Sequence, residues 1–122
     1  IVPELRKINR IICMEEVLYS KQLKIAGRVD TIGEYLESPS IIDYKTSRQP
    51  KKPEWIVDYF LQTCLYSLCW EEMTGDKIKQ LVLLITNPDS CQVFISSRSK
   101  WINLLHDRYK IYLQLIKECN HV

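Results

Sequence analysis

The 122-residue sequence has only three glycines and five prolines, too few for a collagen-like or low-complexity disordered chain. It has no apolar run near the roughly 20 residues that a membrane-spanning helix needs. Its opening, I-V-P-E-L-R-K, is too charged for the apolar centre of a secretory signal. The first residue is Ile rather than Met, which fits a chain that has lost residues from its start. There is no C-x-x-C pair: Cys13, Cys64, Cys69, Cys91 and Cys119 are odd in number and scattered. That argues against a zinc site and for free thiols in a reducing, intracellular setting. Charge bias is also lacking, since the formal net charge of +2 says little about partners.

What is present is ordinary globular material: 46% hydrophobic and 26% charged residues in a length that suits one domain spanning residues 1–122. The residue pattern reads as α-β-β-β-α-β-β-α. Leu5 and Ile8, three apart, suggest a short helix over Pro3–Asn9. Strands are expected over Ile11–Ser20 and Ile25–Leu36, with turn chemistry at Glu37-Ser38-Pro39-Ser40. Ile41-Ile42 opens a third strand whose paired apolar residues suit a central, buried position. After a basic loop between Pro50 and Pro53, the spacing of Ile56, Phe60, Leu61, Leu65 and Leu68 predicts a helix over about Glu54–Met73. Gly75 suits its stop. Strands follow at Lys79–Thr86 and Cys91–Ser96, and an amphipathic helix runs from about Arg98. The fold class is therefore α/β, a central sheet flanked by helices.

The stretch A-G-R-V-D-T-I-G-E-Y-L-E-S-P-S-I-I-D-Y-K-T-S carries the chemistry. Asp43 and Lys45 are two apart on a strand and so project from one face. A short turn returns the chain beside Asp30. The hairpin can thus bring two carboxylates and an ammonium together, a donor set that suits Mg²⁺ or Mn²⁺, with the Tyr44 backbone carbonyl as a further ligand. Such a cluster fits phosphodiester hydrolysis. An isolated D-x-K is usually no more than the charged end of a strand. Here, however, G-x-x-D is followed by D-x-K thirteen residues later and then by Gln62 and Tyr66, which share a face of the next helix.

This ordered set resembles the RecB-like branch of the PD-(D/E)xK nuclease superfamily, most of all its phage and mitochondrial exonucleases. The likeness runs from about Glu15 to Tyr66 and is carried by Gly27, Asp30, Asp43, Lys45, Gln62 and Tyr66. It implies a restriction-endonuclease-like core with a mixed sheet and Mg²⁺-dependent cleavage of DNA. By that likeness Asp30 and Asp43 are metal ligands, Lys45 is the catalytic lysine, and Gln62 and Tyr66 position the DNA or the site. It also implies an acidic ligand on the strand before G-x-x-D. Glu15 and Glu16 both qualify and face opposite ways on an alternating strand; the likeness to the mitochondrial exonucleases, whose spacing to the glycine Glu15 matches, implies Glu15. The sequence departs from many relatives in lacking a histidine-bearing helix upstream, His106 and His121 lying at the other end. The clustered cysteines of the iron–sulfur members are also missing, so no cluster is expected.

Setting Glu15, Asp30 and Asp43 aside as site residues leaves 12 of the 15 acidic side chains against 17 basic ones. Arg28, Arg48, Lys51 and Lys52 flank the motif and are the expected DNA contacts, although R-Q-P-K-K could equally be a solvated loop. Trp55 and Tyr59 could stack on bases or belong to the core. The expected activity is exonucleolytic, on single-stranded or free DNA ends, in phage replication, recombination or repair. A junction-resolvase-like endonuclease and a non-catalytic DNA-binding module are the alternatives. No membrane association is expected.

Overall fold

The computed structural model describes residues 7–48 and 56–119. Five strands form one sheet in the order β1 (Ile8–Ser20), β2 (Ile25–Tyr35), β3 (Ser38–Thr46), β4 (Gln80–Thr86) and β5 (Cys91–Ser97). Two long helices, α1 (Val57–Thr74) and α2 (Ile102–Cys119), and a 3-10 turn at Arg98–Lys100 complete the described fold. The expected short helix at Pro3–Asn9 falls mostly outside the described residues, and its last two positions, Ile8 and Asn9, belong to β1. No described helix is long and apolar enough to cross a membrane.

The first three strands form an antiparallel meander, β3 and β4 run parallel with α1 as the crossover, and β5 returns antiparallel. This mixed sheet with its helical crossover is a restriction-endonuclease-like core. β3 sits at the centre, as the Ile41-Ile42 pair suggests, and both side chains are fully buried. Ile41 joins Val29, Leu81, Leu83, Phe60 and Cys64 in the main core on the α1 side. Ile42 joins Tyr35, Val82 and Leu84 on the other face. Alternation along β3 therefore puts Asp43 and Lys45 on the face that α1 covers.

The β2–β3 turn is tighter than the sequence suggests. Tyr35 pairs with Ser38, so the loop is Leu36-Glu37, with φ of 50° and 67°. Two positive φ values are what a two-residue hairpin turn requires, but Leu and Glu are not its favoured residues. Ser38, Pro39 and Ser40, expected in the turn, lie in β3.

Helix α1 ends as expected. Gly75 adopts φ 83° and its N–H bonds to the Glu71 carbonyl at 2.7 Å. Glu72 in the last turn accepts from Ser20 Oγ at 2.8 Å and from the Lys21 N–H at 2.6 Å, tying the helix to the β1–β2 turn. The short turn that leads into α2 docks on α1 through stacked Phe60 and Trp101 rings, 5.0 Å apart, and through the Arg98–Glu71 ion pair at 2.8 Å.

Candidate active site

The site begins where two strands part. The β2–β3 ladder runs from Tyr35↔Ser38 to Thr31↔Ile42. Beyond that point β2 stays with β1 down to Ile25↔Ser20, while β3 stays with β4 up to Thr46↔Thr86. At the fork the Tyr44 N–H donates to Asp30 Oδ2 at 2.9 Å, so a carboxylate takes a main-chain donor that a regular ladder would give to a carbonyl. The contact holds Asp30 against the end of β3, beside Asp43. On the opposite face Thr31 Oγ1 donates to the Tyr44 hydroxyl at 3.1 Å.

Asp43 is 4% exposed. Lys45 Nζ lies 3.1 Å from its Oδ2, an ion-pair contact that leaves this buried oxygen with no hydrogen bond. Burial, and then the adjoining Asp30 carboxyl, push the Asp43 carboxyl up to about 7, against the downward pull of Lys45. Two carboxylates and one ammonium at the mouth of a fork leave negative charge incompletely balanced, so a further cation would be welcomed there.

From α1, Gln62 reaches the same cluster. Lys45 Nζ donates to Gln62 Oε1 at 3.3 Å and Gln62 Nε2 donates to the Tyr66 hydroxyl at 2.9 Å. An ammonium can only donate, so it fixes the Gln62 amide with its oxygen inward. Tyr66 thereby receives a bond on its oxygen and keeps its own hydrogen to give. Burial pushes the Tyr66 phenol above its usual range, so it stays a donor. The Tyr66 ring lies over Gly27, where an added Cβ would come within 2.7 Å of Tyr66 Cε1.

Asp30, Asp43, Lys45, Gln62, Tyr66, Gly27 and the Tyr44 backbone are thus brought together. Glu15 is not. Its φ is 52°, which breaks the alternation of β1, and its side chain, 71% exposed, pairs with Arg28 at 3.6 Å. Among the described residues no three His, Cys, Asp or Glu side chains gather as a metal cage. Lys51, Lys52 and Trp55 lie outside the described residues. Arg48, at the exit of β3, lines a groove of about 400 Å³ with Thr46, Ser47, Thr86, Asn87 and Pro88. Tyr59, weighed from sequence as a base-stacking or core residue, packs half-buried against the main core and has its ring 4.9 Å from Lys45 Nζ. His106 is exposed on α2, and Cys13, Cys64 and Cys69 are free thiols.

With this geometry in view, a comparison with protein families is decisive. The family model of the PD-(D/E)XK nuclease superfamily matches residues 3–115, and the chain belongs to that superfamily. Its class of activity is nucleic-acid hydrolysis, in a family that generally uses divalent metals such as Mg²⁺ or Mn²⁺. A search of curated proteins finds no match.

The raised Asp43 carboxyl has a consequence for stability. In the folded chain it keeps its proton up to about 7, against 3.8 as its ordinary value. The folded state therefore binds the extra proton between those values, and this contribution to stability is lost as pH rises through the window. The melting temperature of the metal-free protein is expected to fall from pH 5 to pH 8, and Asp43→Asn to flatten that slope. A divalent cation competes with the proton and should raise the melting temperature more at pH 8 than at pH 5. A metal-free melting temperature with the same pH slope in wild type and Asp43→Asn would show that this carboxyl is not the group responsible.

Proposed function

We propose that this chain is a Mg²⁺-dependent deoxyribonuclease whose chemistry is centred on Asp30, Asp43 and Lys45, and that it acts on single-stranded or free DNA ends. The observation that carries the reading is the buried Asp43 oxygen, which has no hydrogen bond although it lies beside a second carboxylate and Lys45. A buried carboxylate oxygen that has an ion pair but no hydrogen bond is costly, and the arrangement is explained if a cation from outside the chain completes its partners.

The donor set fits such an ion. Mg²⁺ typically takes one or two carboxylates and completes its shell with water and substrate phosphate, so Asp30 and Asp43 with the Tyr44 carbonyl suffice, and Glu15 need not contribute. When bound, the ion would supply positive charge against a phosphate and acidify the water beside it. Lys45 would set the attacking water or neutralise charge developing on the phosphate. Gln62 would hold Lys45 in place, and Tyr66 would give its free O–H to a phosphate oxygen.

The preference for ends rests on the resemblance of the motif set to phage and mitochondrial exonucleases, which is also what suggests a role in phage replication, recombination or repair. The free thiols of Cys13, Cys64 and Cys69 support a reducing, intracellular setting. The test is digestion of labelled DNA with Mg²⁺, Mn²⁺ or EDTA, on linear strands with free or blocked ends and on closed single-stranded circles. Metal-dependent loss of free-ended strands with circles intact is expected. Cut circles would make the protein an endonuclease, and no cleavage in any metal would overturn the reading.

Arg48 is expected to track the DNA backbone. Arg48→Ala should weaken binding to a single-stranded oligonucleotide in Ca²⁺ and lower the salt dependence by about one ion equivalent. An unchanged salt slope would remove Arg48 from the DNA path.

A further inference from the structure

We propose that Tyr59 is a positioning residue for Lys45, its ring face acting as the third wall of a pocket that holds the ammonium over the fork. The proposal rests on the nuclease reading above and adds to it a residue outside the motif set.

Lys45 reaches the site on a flexible four-carbon stem. Its Nζ meets the Asp43 carboxylate at 3.1 Å and the Gln62 amide oxygen at 3.3 Å. The Gln62 contact is a directional hydrogen bond that uses one N–H, whereas the Asp43 contact is an ion pair without hydrogen-bond geometry. The Tyr59 ring, 4.9 Å from Nζ to its centroid, is within the range at which a ring face attracts a cation. That attraction acts on the charge and does not fix a donor in one direction, so the N–H groups not given to Gln62 stay able to turn toward a phosphate or a water. The ring is also a poor competitor for water. It keeps bulk solvent off a side chain that is only 28% exposed, where the ion pair with Asp43 is correspondingly stronger.

The placement follows from helix geometry. Tyr59, Gln62 and Tyr66 stand at i, i+3 and i+7 on α1 and so share one face. The Tyr59 main-chain carbonyl accepts from Thr63 Oγ1 at 3.2 Å, an additional tie within this first part of the helix. The same face thus presents a ring, an amide and a phenol in sequence. The first two meet Lys45 and the third is bound to the amide.

A base-stacking role for Tyr59 predicts the opposite kinetic signature. A stacking residue binds substrate and raises KM when removed, whereas a residue that holds the lysine acts on turnover. Tyr59→Phe keeps the ring and should turn over within about twofold of wild type, while Tyr59→Leu should lower kcat about tenfold. KM should stay constant in both. Replacing Tyr59 by phenylalanines of increasing fluorine content withdraws charge from the ring face and should lower kcat stepwise. Equal kcat in the Phe and Leu variants, a rise in KM at unchanged kcat, or a flat fluorine series would each overturn the proposal.

The nuclease reading and this proposal fail separately. A wild-type protein that cleaves no DNA in any divalent metal defeats the reading, whereas an active protein with a flat fluorine series defeats only the role of Tyr59. A readout independent of turnover is the ring-current shift. The Lys45 ε-methylene protons should resonate upfield of other lysines in wild type and Tyr59→Phe, and return to the common position in Tyr59→Leu. Their absence from the upfield region in wild type would refute the stacked arrangement itself.

Discussion

Lys45→Ala is expected to lower kcat on DNA by about 10²-fold or more while leaving the fold intact. The side chain sits at the mouth of the β2–β3 fork, between Asp43 and Gln62, and no other described residue duplicates its position. Its removal has a second effect that must be separated from the first. Lys45 pulls the Asp43 carboxyl down, so without it Asp43 holds its proton to still higher pH and binds a cation less well near neutrality. Turnover compared on the alkaline plateau of each protein's own pH profile, above the Asp43 titration, isolates the loss of the ammonium. There the variant should bind Mn²⁺ nearly as wild type does and still fail to turn over. Asp43→Asn should lose both. It should also keep or raise the melting temperature at neutral pH, because it replaces a buried anion by an isosteric neutral group. Near-wild-type turnover in either variant would remove the proposed centre.

Gly27→Ala is expected to reduce activity about tenfold or more and to lower stability by about 1–3 kcal/mol. An ordinary Cβ contact begins well beyond the 2.7 Å at which this one would meet Tyr66 Cε1. Tyr66 is 6% exposed and cannot swing away without losing its bond to Gln62, and with it the amide orientation that receives Lys45. The strain therefore reaches the lysine through two side chains. A double-mutant cycle checks this route. With Tyr66→Ala already present, the ring is gone and Gly27→Ala should cost little further in stability or turnover. Additive losses in the double variant would mean that Gly27 matters for a reason other than the Tyr66 ring.

The strand order and the centre of the site were legible in the sequence because they rest on local rules. Ile41-Ile42 followed by Asp43-Tyr44-Lys45 combines a buried pair with strand alternation, and both features appear in β3. The helix face was only half legible. Leu65 and Leu68, read as core positions, are half-buried, while Thr63 and Ser67 are fully buried. These small polar residues satisfy themselves on their own helix, Thr63 on the Tyr59 and Phe60 carbonyls and Ser67 on that of Cys64, so hydropathy does not mark them as core. The Leu36-Glu37 turn was missed because neither residue signals a positive φ. The position of Glu15 depends on a backbone irregularity that alternation alone cannot foresee. The contact between Tyr59 and Lys45 spans two elements and has no local signature; the spacing to Gln62 and Tyr66 was its one available hint.

The central claim is that Asp30 and Asp43 share a divalent cation beside Lys45. Anomalous diffraction from crystals soaked in Mn²⁺ tests it most directly. The account predicts one strong peak in contact with both carboxylates at the end of β3, present in wild type and Lys45→Ala and absent in Asp43→Asn. A peak held by other residues, or none at this fork in crystals of a protein that cleaves DNA with Mn²⁺, would contradict it.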